Sequence, residues 1–436
     1  MFAAMKDRDY RLLWIGQAVS YLGDQFHLVA LPWLVLTLTH DPVQLGLVLA
    51  AAGVPRAALM LVGGAWADRF SPREIMLVSD VLRAAVTAAL VTAILSGNVQ
   101  LWMVYALAIS FGVVSGFFMP AAEAAVPRLL PDSHLESGNS LIMGADQLAT
   151  FVGPALAGAM IAMLSGAASG GAAAAAHSLT GIGIAFGVDA ATFVVSAATL
   201  LFIRPLPGLA SRDTHPLHDI AEGLRFVVAD PMMRMLVSVI ALANMLVTGP
   251  ILVGIPVLAQ TRFAEGAVAF GVIISANGVG NLIGMLGAGA LPRASDKAFG
   301  LIATATFVGF AAIFAALGFV NSMWVAAALM VVGGMLNGYV AILVMTGMQR
   351  LTPKEMMGRV MSLMMLAMVG LAPISQAVAG LLVKSSVGLM FGVAGTGLLL
   401  IAGFVFSRRG VWTFPESEDD EPAELLAQVD PSASAA

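Results

Sequence analysis

No cysteine occurs among the 436 residues, which excludes disulfides, thiolate metal ligands, iron–sulfur clusters and thiol nucleophiles. Charge is almost as scarce: 11% of the residues are Asp, Glu, Lys or Arg, where soluble domains carry about a quarter. That supply is too small to cover a globule with water-binding side chains. No Gly-x-x-x-x-Gly-Lys-Ser/Thr loop is present to cradle a nucleotide phosphate, and no basic run interleaved with aromatics points to nucleic acid. His215 and His218 are too few for a metal site. ATP-driven transport by this chain alone is therefore not expected, nor is enzymatic chemistry, and no cofactor is implied.

What the chain has instead is apolar sequence, at 59% with a mean hydropathy of +0.92. A hydrocarbon core of about 30 Å takes roughly 20 helical residues to cross. Apolar stretches of that length fall near 12–38, 43–67, 74–96, 100–123, 137–165, 180–203, 233–260, 267–291, 297–319, 322–349, 358–383 and 386–407. The expected fold is an all-α membrane protein of twelve transmembrane helices.

Basic residues give the orientation. Lys6, Arg8, Arg11, Arg69, Arg73, Arg128, Arg204, Arg212, Arg225, Arg234, Arg293, Lys297, Arg350, Lys354, Arg359, Arg408 and Arg409 fall on one side of these spans; the other side holds Arg262 and Lys384. The positive-inside rule makes the first side cytoplasmic and places both termini there. Met1 to Arg11 runs into the first span without a small-residue cleavage site and reads as a cytoplasmic terminus.

The longest internal polar stretch, Arg204 to Arg234, separates the sixth and seventh spans. Around it, Arg128, Leu129, Pro131, Ser140, Leu141, Met143, Ala157 and Gly158 recur 222 residues later as Arg350, Leu351, Pro353, Ser362, Leu363, Met365, Ala379 and Gly380. Such a match is the mark of two six-helix bundles related by a parallel pseudo-repeat. The expected organisation is a first bundle over 1–203, a cytoplasmic linker over 204–232, a second bundle over 233–407 and an acidic, disordered tail over 408–436. Ile220, Leu224 and Val227 stand at helical spacing in the linker and predict a short interfacial helix there.

At the second loop the chain reads Gly63-Gly64-Ala65-Trp66-Ala67-Asp68-Arg69-Phe70-Ser71-Pro72-Arg73. This resembles the major facilitator signature between spans two and three, matched at Gly64, Asp68, Arg69 and Arg73, with Ser71 and Pro72 departing from it. In the family pattern the Asp faces a neighbouring helix N-terminus and holds the cytoplasmic side shut. In span five, Ser140, Ala149, Gly153, Pro154, Ala157 and Gly158 stand at the spacing of the family's antiporter motif, with Ser or Ala replacing three of its glycines. Plain small-residue packing gives the same pattern. The run Arg11-Leu12-Leu13-Trp14, Gly23-Asp24, Ala30-Leu31-Pro32-Trp33, Ser79-Asp80-Val81-Leu82-Arg83-Ala84 and Phe118-Met119-Pro120 are similar to the macrolide-efflux and enterobactin-exporter subgroup of drug–proton antiporters. The resemblance implies export of a small molecule from the cytoplasm across the inner membrane, driven by inward proton flow, by a chain that works as a monomer in the lipid bilayer. A lysophospholipid flippase on the same fold is the rival, and a non-transporting membrane receptor or assembly partner the third reading.

Ionisable residues at membrane depth cost at least about 2.5 to 3.5 kcal/mol each on insertion scales, so they mark function or a buried pair. Asp24 and Arg56 lie at matching depth, about 18 Å from the cytoplasmic ends of spans one and two. Together they form either a proton or substrate site or a structural bridge; His27, one helical turn from Asp24, is either a relay or a hydrogen-bonded core histidine. Asp80, Arg83, Glu123 and Asp146 lie nearer the cytoplasmic side, where with Arg69 and Arg73 they form either a gate network or a static cluster. Asp189, in span six, has no evident partner. In the second half Asn244 and Asn277 fall close to the repeat positions of Asp24 and Arg56, which makes them substrate-facing candidates in a neutral bundle. Met345, Met348, Met356, Met357, Met361, Met364, Met365 and Met368 crowd that half as a pliable substrate surface or as gap-fillers.

Overall fold

A computed structural model describes residues 4–165, 172–206, 225, 227–290, 296–352 and 357–408. Ile220 and Leu224 of the expected linker helix and the tail beyond Arg408, together with Arg293, Lys354 and Met356, lie outside the described residues, as do the side chains of Gly64, Asp68, Lys297, Arg350 and Arg359; Val227 is described, helical and buried.

The described residues are helical almost throughout, as lipid demands of any backbone without a closed barrel. The first half consists of α1 (Arg8–Thr39), α2 (Pro42–Arg69), α3 (Pro72–Leu95), α4 (Leu101–Leu129), α5 (Asp132–Leu164) and α6 (Ala172–Leu201). The second begins with α7 (Pro231–Gly249), which continues through a π-helical stretch, Pro250–Gly254, into α8 (Ile255–Arg262). There follow α9 (Ala267–Ala290), α10 (Asp296–Leu317), α11 (Met323–Leu351), α12 (Met357–Val369), α13 (Ala372–Ser385) and α14 (Val387–Ser407). Helix starts are written in the sequence: Asp41 and Asp230 accept the Val43 and Met233 amides, and each is followed by the proline that opens α2 or α7.

Eleven spans among the described residues are long and apolar enough to cross a membrane, with α7–α8 and α12–α13 each forming one of them. The twelfth is α1, 32 residues long and made less apolar by Asp24, Gln25 and His27. The chain is thus a twelve-span helical membrane protein in two six-span bundles.

Within the first half α1 packs on α5 and α6, α3 on α4 and α6, and α2 on α4; within the second α9 packs on α11, and α10 on α14. The halves meet most extensively through two pairs, α5 with α9 and α2 with α13. These interfaces repeat each other. A Cβ at Gly158 would overlap the Ala267 carbonyl and press on Gly271, and one at its repeat counterpart Gly380 would press on Pro42 and Gly46. Backbones this close leave no room for a side chain.

Apolar packing differs between the two faces of the bundle. Away from the basic loops one core runs across both halves, from Val29, Leu34 and Ile161 to Phe270, Phe314 and Phe391. Toward the basic loops there are two separate cores, one around Tyr10, Met76 and Leu130, the other around Leu236, Phe299 and Met348. Lys384 and Asp41 add an ion pair between the halves at the shared end, 3.7 Å apart. The halves are joined at the face away from the basic loops and separate toward the other.

Candidate functional site

Small residues bring α1 and α6 into contact. Gly16 and Gly23, seven apart on α1, face Thr199 and Thr192, seven apart on α6, so closely that a Cβ at either glycine would overlap a threonine hydroxyl. This approach places fully buried Asp189 beside His27, with Oδ2 3.1 Å from Nδ1. The imidazole is stacked on Phe111 at 4.3 Å between ring centres and meets the edge of Phe186. Asp189, without an evident partner in the sequence, has one.

From α3 come Asp80 and Arg83, both buried. The Arg83 guanidinium donates to Ser115 Oγ at 3.1 Å and lies 4.4 Å from the Phe118 ring centre, with Phe193 and Phe111 at 5.5 and 5.9 Å. An arginine held against three aromatic faces is a desolvated cation stabilised by ring quadrupoles. Neither carboxylate oxygen of Asp80 makes a hydrogen bond, although Ser196 and Arg83 face it. Arg83 acts electrostatically on Asp24, Asp80 and Asp189 alike. One guanidinium and one histidine therefore serve three carboxylates inside a single bundle.

Asp24 belongs to this cluster rather than to Arg56. The ionisable groups acting on it are Arg83, Asp189, His27 and Asp80, and no ion pair joins it to Arg56 among the described residues. Matching depth on consecutive helices misleads because α1 has its extensive contacts with α5 and α6, and α2 with α4 and α13. The Arg56 Nε is buried without a hydrogen-bond partner. By helical phase Arg56 follows Gly46 and Gly53 on the α2 face turned to the second half, one turn beyond the contact of Gly53 with Pro373.

The expected gate network divides in the same way. Asp80 and Arg83 turn into the bundle, whereas Glu123 and Asp146, with Asp24, act electrostatically on Tyr21. Glu123 and Arg69 are exposed. Arg73 is committed within its own half, donating to the Leu200 and Leu201 carbonyls at 2.8 and 3.1 Å, which caps the end of α6. Of the antiporter-like set, Gly153 lies against Gln25 of α1, while Pro154, Ala157 and Gly158 are buried, with Pro154 and Gly158 at the seam with α9. The Ala155 amide, following a proline that interrupts the helix ladder, donates to Ser275 Oγ of α9 at 2.9 Å, a hydrogen bond between the halves.

In the second half Asn244 lines a cavity of about 130 Å³ between α7, α10 and α11, which Met368 and Val405 also line. Asn277 does not reach it: its amide donates to the Met330 carbonyl, and Gly334 sits against its backbone, so it serves the α9–α11 contact. The methionines divide, with Met348 and Met364 buried in the core and Met345 and Met368 exposed.

Residues 13–377 match the model of the Major Facilitator Superfamily. The chain belongs to that superfamily. It is accordingly a multi-pass membrane transporter and not an enzyme. It is similar to the multidrug efflux pump Tap of Mycolicibacterium fortuitum, 27% identical over 78% of this chain and 81% of that one. It is also similar to the enterobactin exporter EntS of Shigella boydii, 26% identical over 93% and 94% of the two chains. Among solved structures, a bacterial homologue of the iron transporter ferroportin in an inward-facing state superposes with a TM-score of 0.70 at 17% identity, covering 92% of this chain and 98% of that one. That superposition speaks to the fold alone.

Proposed function

We propose that the chain is a secondary active exporter of an amphipathic small molecule, a drug or a siderophore-like metabolite, exchanging it for protons by alternating access. The observation that carries this reading is the placement of charge: Asp24, His27, Asp80, Arg83 and Asp189 cluster inside the first half, and the second half offers amides and apolar side chains at the corresponding depth. Three carboxylates against one guanidinium leave an excess of negative charge, and protons on the cluster neutralise it in a medium that tolerates no bare ion. We take Asp24, intermediate in exposure and electrostatically influenced by the cluster, as the link between the cluster and the space between the halves.

The basic loops make the separated face cytoplasmic, with both termini there and the chain in the inner membrane. Substrate then enters from the cytoplasm between halves that are closed at the far side, and meets Arg56 and the acidic residues that act on Tyr21. The names of the efflux and exporter relatives support the direction. Each chain carries its own pair of bundles, so the monomer is the working unit. The deciding experiment is accumulation of a panel of amphipathic compounds by inverted vesicles, with and without a pH gradient. Gradient-dependent accumulation of at least one compound is expected. Movement of lysolipids with no drug-like compound accumulated would replace export with lipid handling.

A further inference from the structure

The two halves treat the same interior space in opposite ways. In the first, α1, α3, α4 and α6 enclose Asp80 and Arg83 from α3 and Phe111, Ser115 and Phe118 from α4. Carried by the 222-residue repeat that aligns Arg128 with Arg350, the α4 residues correspond to Gly333, Asn337 and Val340 of α11. Matching the last residues of α3 and α10, Leu95 and Leu317, carries the same offset and sets Asp80 and Arg83 against Ile302 and Ala305. Two aromatic rings, a guanidinium and a carboxylate in one half are thus replaced by small or neutral side chains in the other. Of these, Ile302, Asn337 and Val340 line the second-half cavity. Neutral residues thus line the cavity where the first half carries Asp80, Ser115 and Phe118.

Its geometry is that of a site with a mouth. Leu236, Ile240, Phe299 and Phe310 wall it with buried apolar surface, and Asn244, Thr306 and Asn337 supply its side-chain amides and hydroxyl. Among the described residues no charged side chain lines it. Asn337 and Ala341 are exposed, and by helical phase they lie on the opposite side of α11 from Trp324, Val325 and Val332, the exposed apolar stripe suited to lipid. The opening therefore faces inward, and exposed Met368 of α12 also lines the cavity. At about 130 Å³ the space approaches the roughly 150 Å³ of an engineered apolar cavity that admits benzene.

We propose that this cavity is a subsite for one uncharged aromatic ring, entered from between the halves and oriented by hydrogen bonds from a neutral polar substituent to Asn244, Thr306 or Asn337. It deepens the export reading by naming the part of the molecule that the second half takes, and rests on that reading only for its role in transport. Amides and a hydroxyl satisfy a phenol-like group, and the absence of a counter-ion from the lining rejects a charged one.

The test is fluorine NMR of 4-fluorophenol, with 4-fluorobenzoate as the charged control, against the purified full chain in nanodiscs. Line broadening of the phenol by the native protein is expected to fall at least fivefold in Ala303→Phe, which fills the space, and in Ala341→Leu, which narrows the mouth. Partition into lipid is common to all samples and cancels in the comparison. The benzoate is expected to broaden equally with native and filled protein. Equal broadening of the phenol by native protein and by both variants, each folded as judged by its unfolding temperature, would overturn the proposal, as would benzoate broadening that the filled variants abolish. Because this readout needs no transport, its failure leaves the vesicle experiment untouched, and failure of gradient-driven accumulation leaves this result untouched.

Discussion

Gly271 is the point at which the two halves approach most tightly from α9, and enlarging it should drive them apart. A Cβ there would overlap the Pro154 carbonyl oxygen and press on that residue's carbonyl carbon at 3.0 Å and on the Gly158 Cα at 3.2 Å, all backbone atoms with no rotamer to yield. In Gly271→Leu the cost falls on the arrangement in which α5 and α9 are closed at this level, at the 1–3 kcal/mol typical of overpacking. Taking about 2 kcal/mol, the population ratio between this arrangement and one opened at the seam changes by roughly 30-fold. Alternating access requires that opening here be coupled to closure at the basic face. Because the chain has no cysteine, Met143→Cys and Leu286→Cys introduce two labels and no others. Both positions are exposed, and they lie at one level of the antiparallel α5–α9 pair, where the neighbouring Gly144 and Gly287 have open space around them. Pulsed dipolar EPR should show the distance between the labels shortening in Gly271→Leu and not in Gly287→Leu. A folded Gly271→Leu protein with an unchanged distance distribution would refute the coupling of the two faces across this seam.

Two further outcomes follow from contacts within and between the halves. Phe118→Ala removes a buried ring and the surface under the Arg83 guanidinium, and should cost about 3–5 kcal/mol, read as a lower unfolding temperature than in exposed Phe404→Ala. Ser275→Ala takes the acceptor from the Ala155 amide, and the lost hydrogen bond should cost about 1–3 kcal/mol; since that bond joins the halves, the same labels should report a shift in the direction of Gly271→Leu.

The spans were legible because a run of roughly 20 apolar residues has few uses other than crossing lipid, and the basic loops made them alternate. The two-half plan was legible because small residues at seams between helices leave a trace when a bundle is duplicated, and Ala157-Gly158 and Ala379-Gly380 are that trace. The charges were recognisable as unusual, but their partners were not. Depth comes from counting residues, whereas pairing depends on which helices touch and at what rotation, and here α1 touches α6 far more than α2. The signal that would have joined His27 to Asp189 was present as two spacings of seven, Gly16 to Gly23 and Thr192 to Thr199, a matched pair of small-residue stripes. Arg73 illustrates a different limit: its motif marked it as part of a gate, yet its hydrogen bonds are to two carbonyls that any residues at the end of α6 would present. The cavity in the second half was readable only by comparison, as the place where Ser115 and Phe118 give way to Asn337 and Val340.

In the proposed exchange, coupling resides in the first half, with Asp24 as the link between its buried charges and the space between the halves. Its most direct test is a substrate that accumulates in inverted vesicles, measured for native protein and for Asp24→Asn with and without an imposed pH gradient. The expected result is gradient-driven accumulation by the native protein, and in Asp24→Asn equilibration of the substrate without accumulation at undiminished expression. Full gradient-driven accumulation by Asp24→Asn would contradict the coupling role of Asp24.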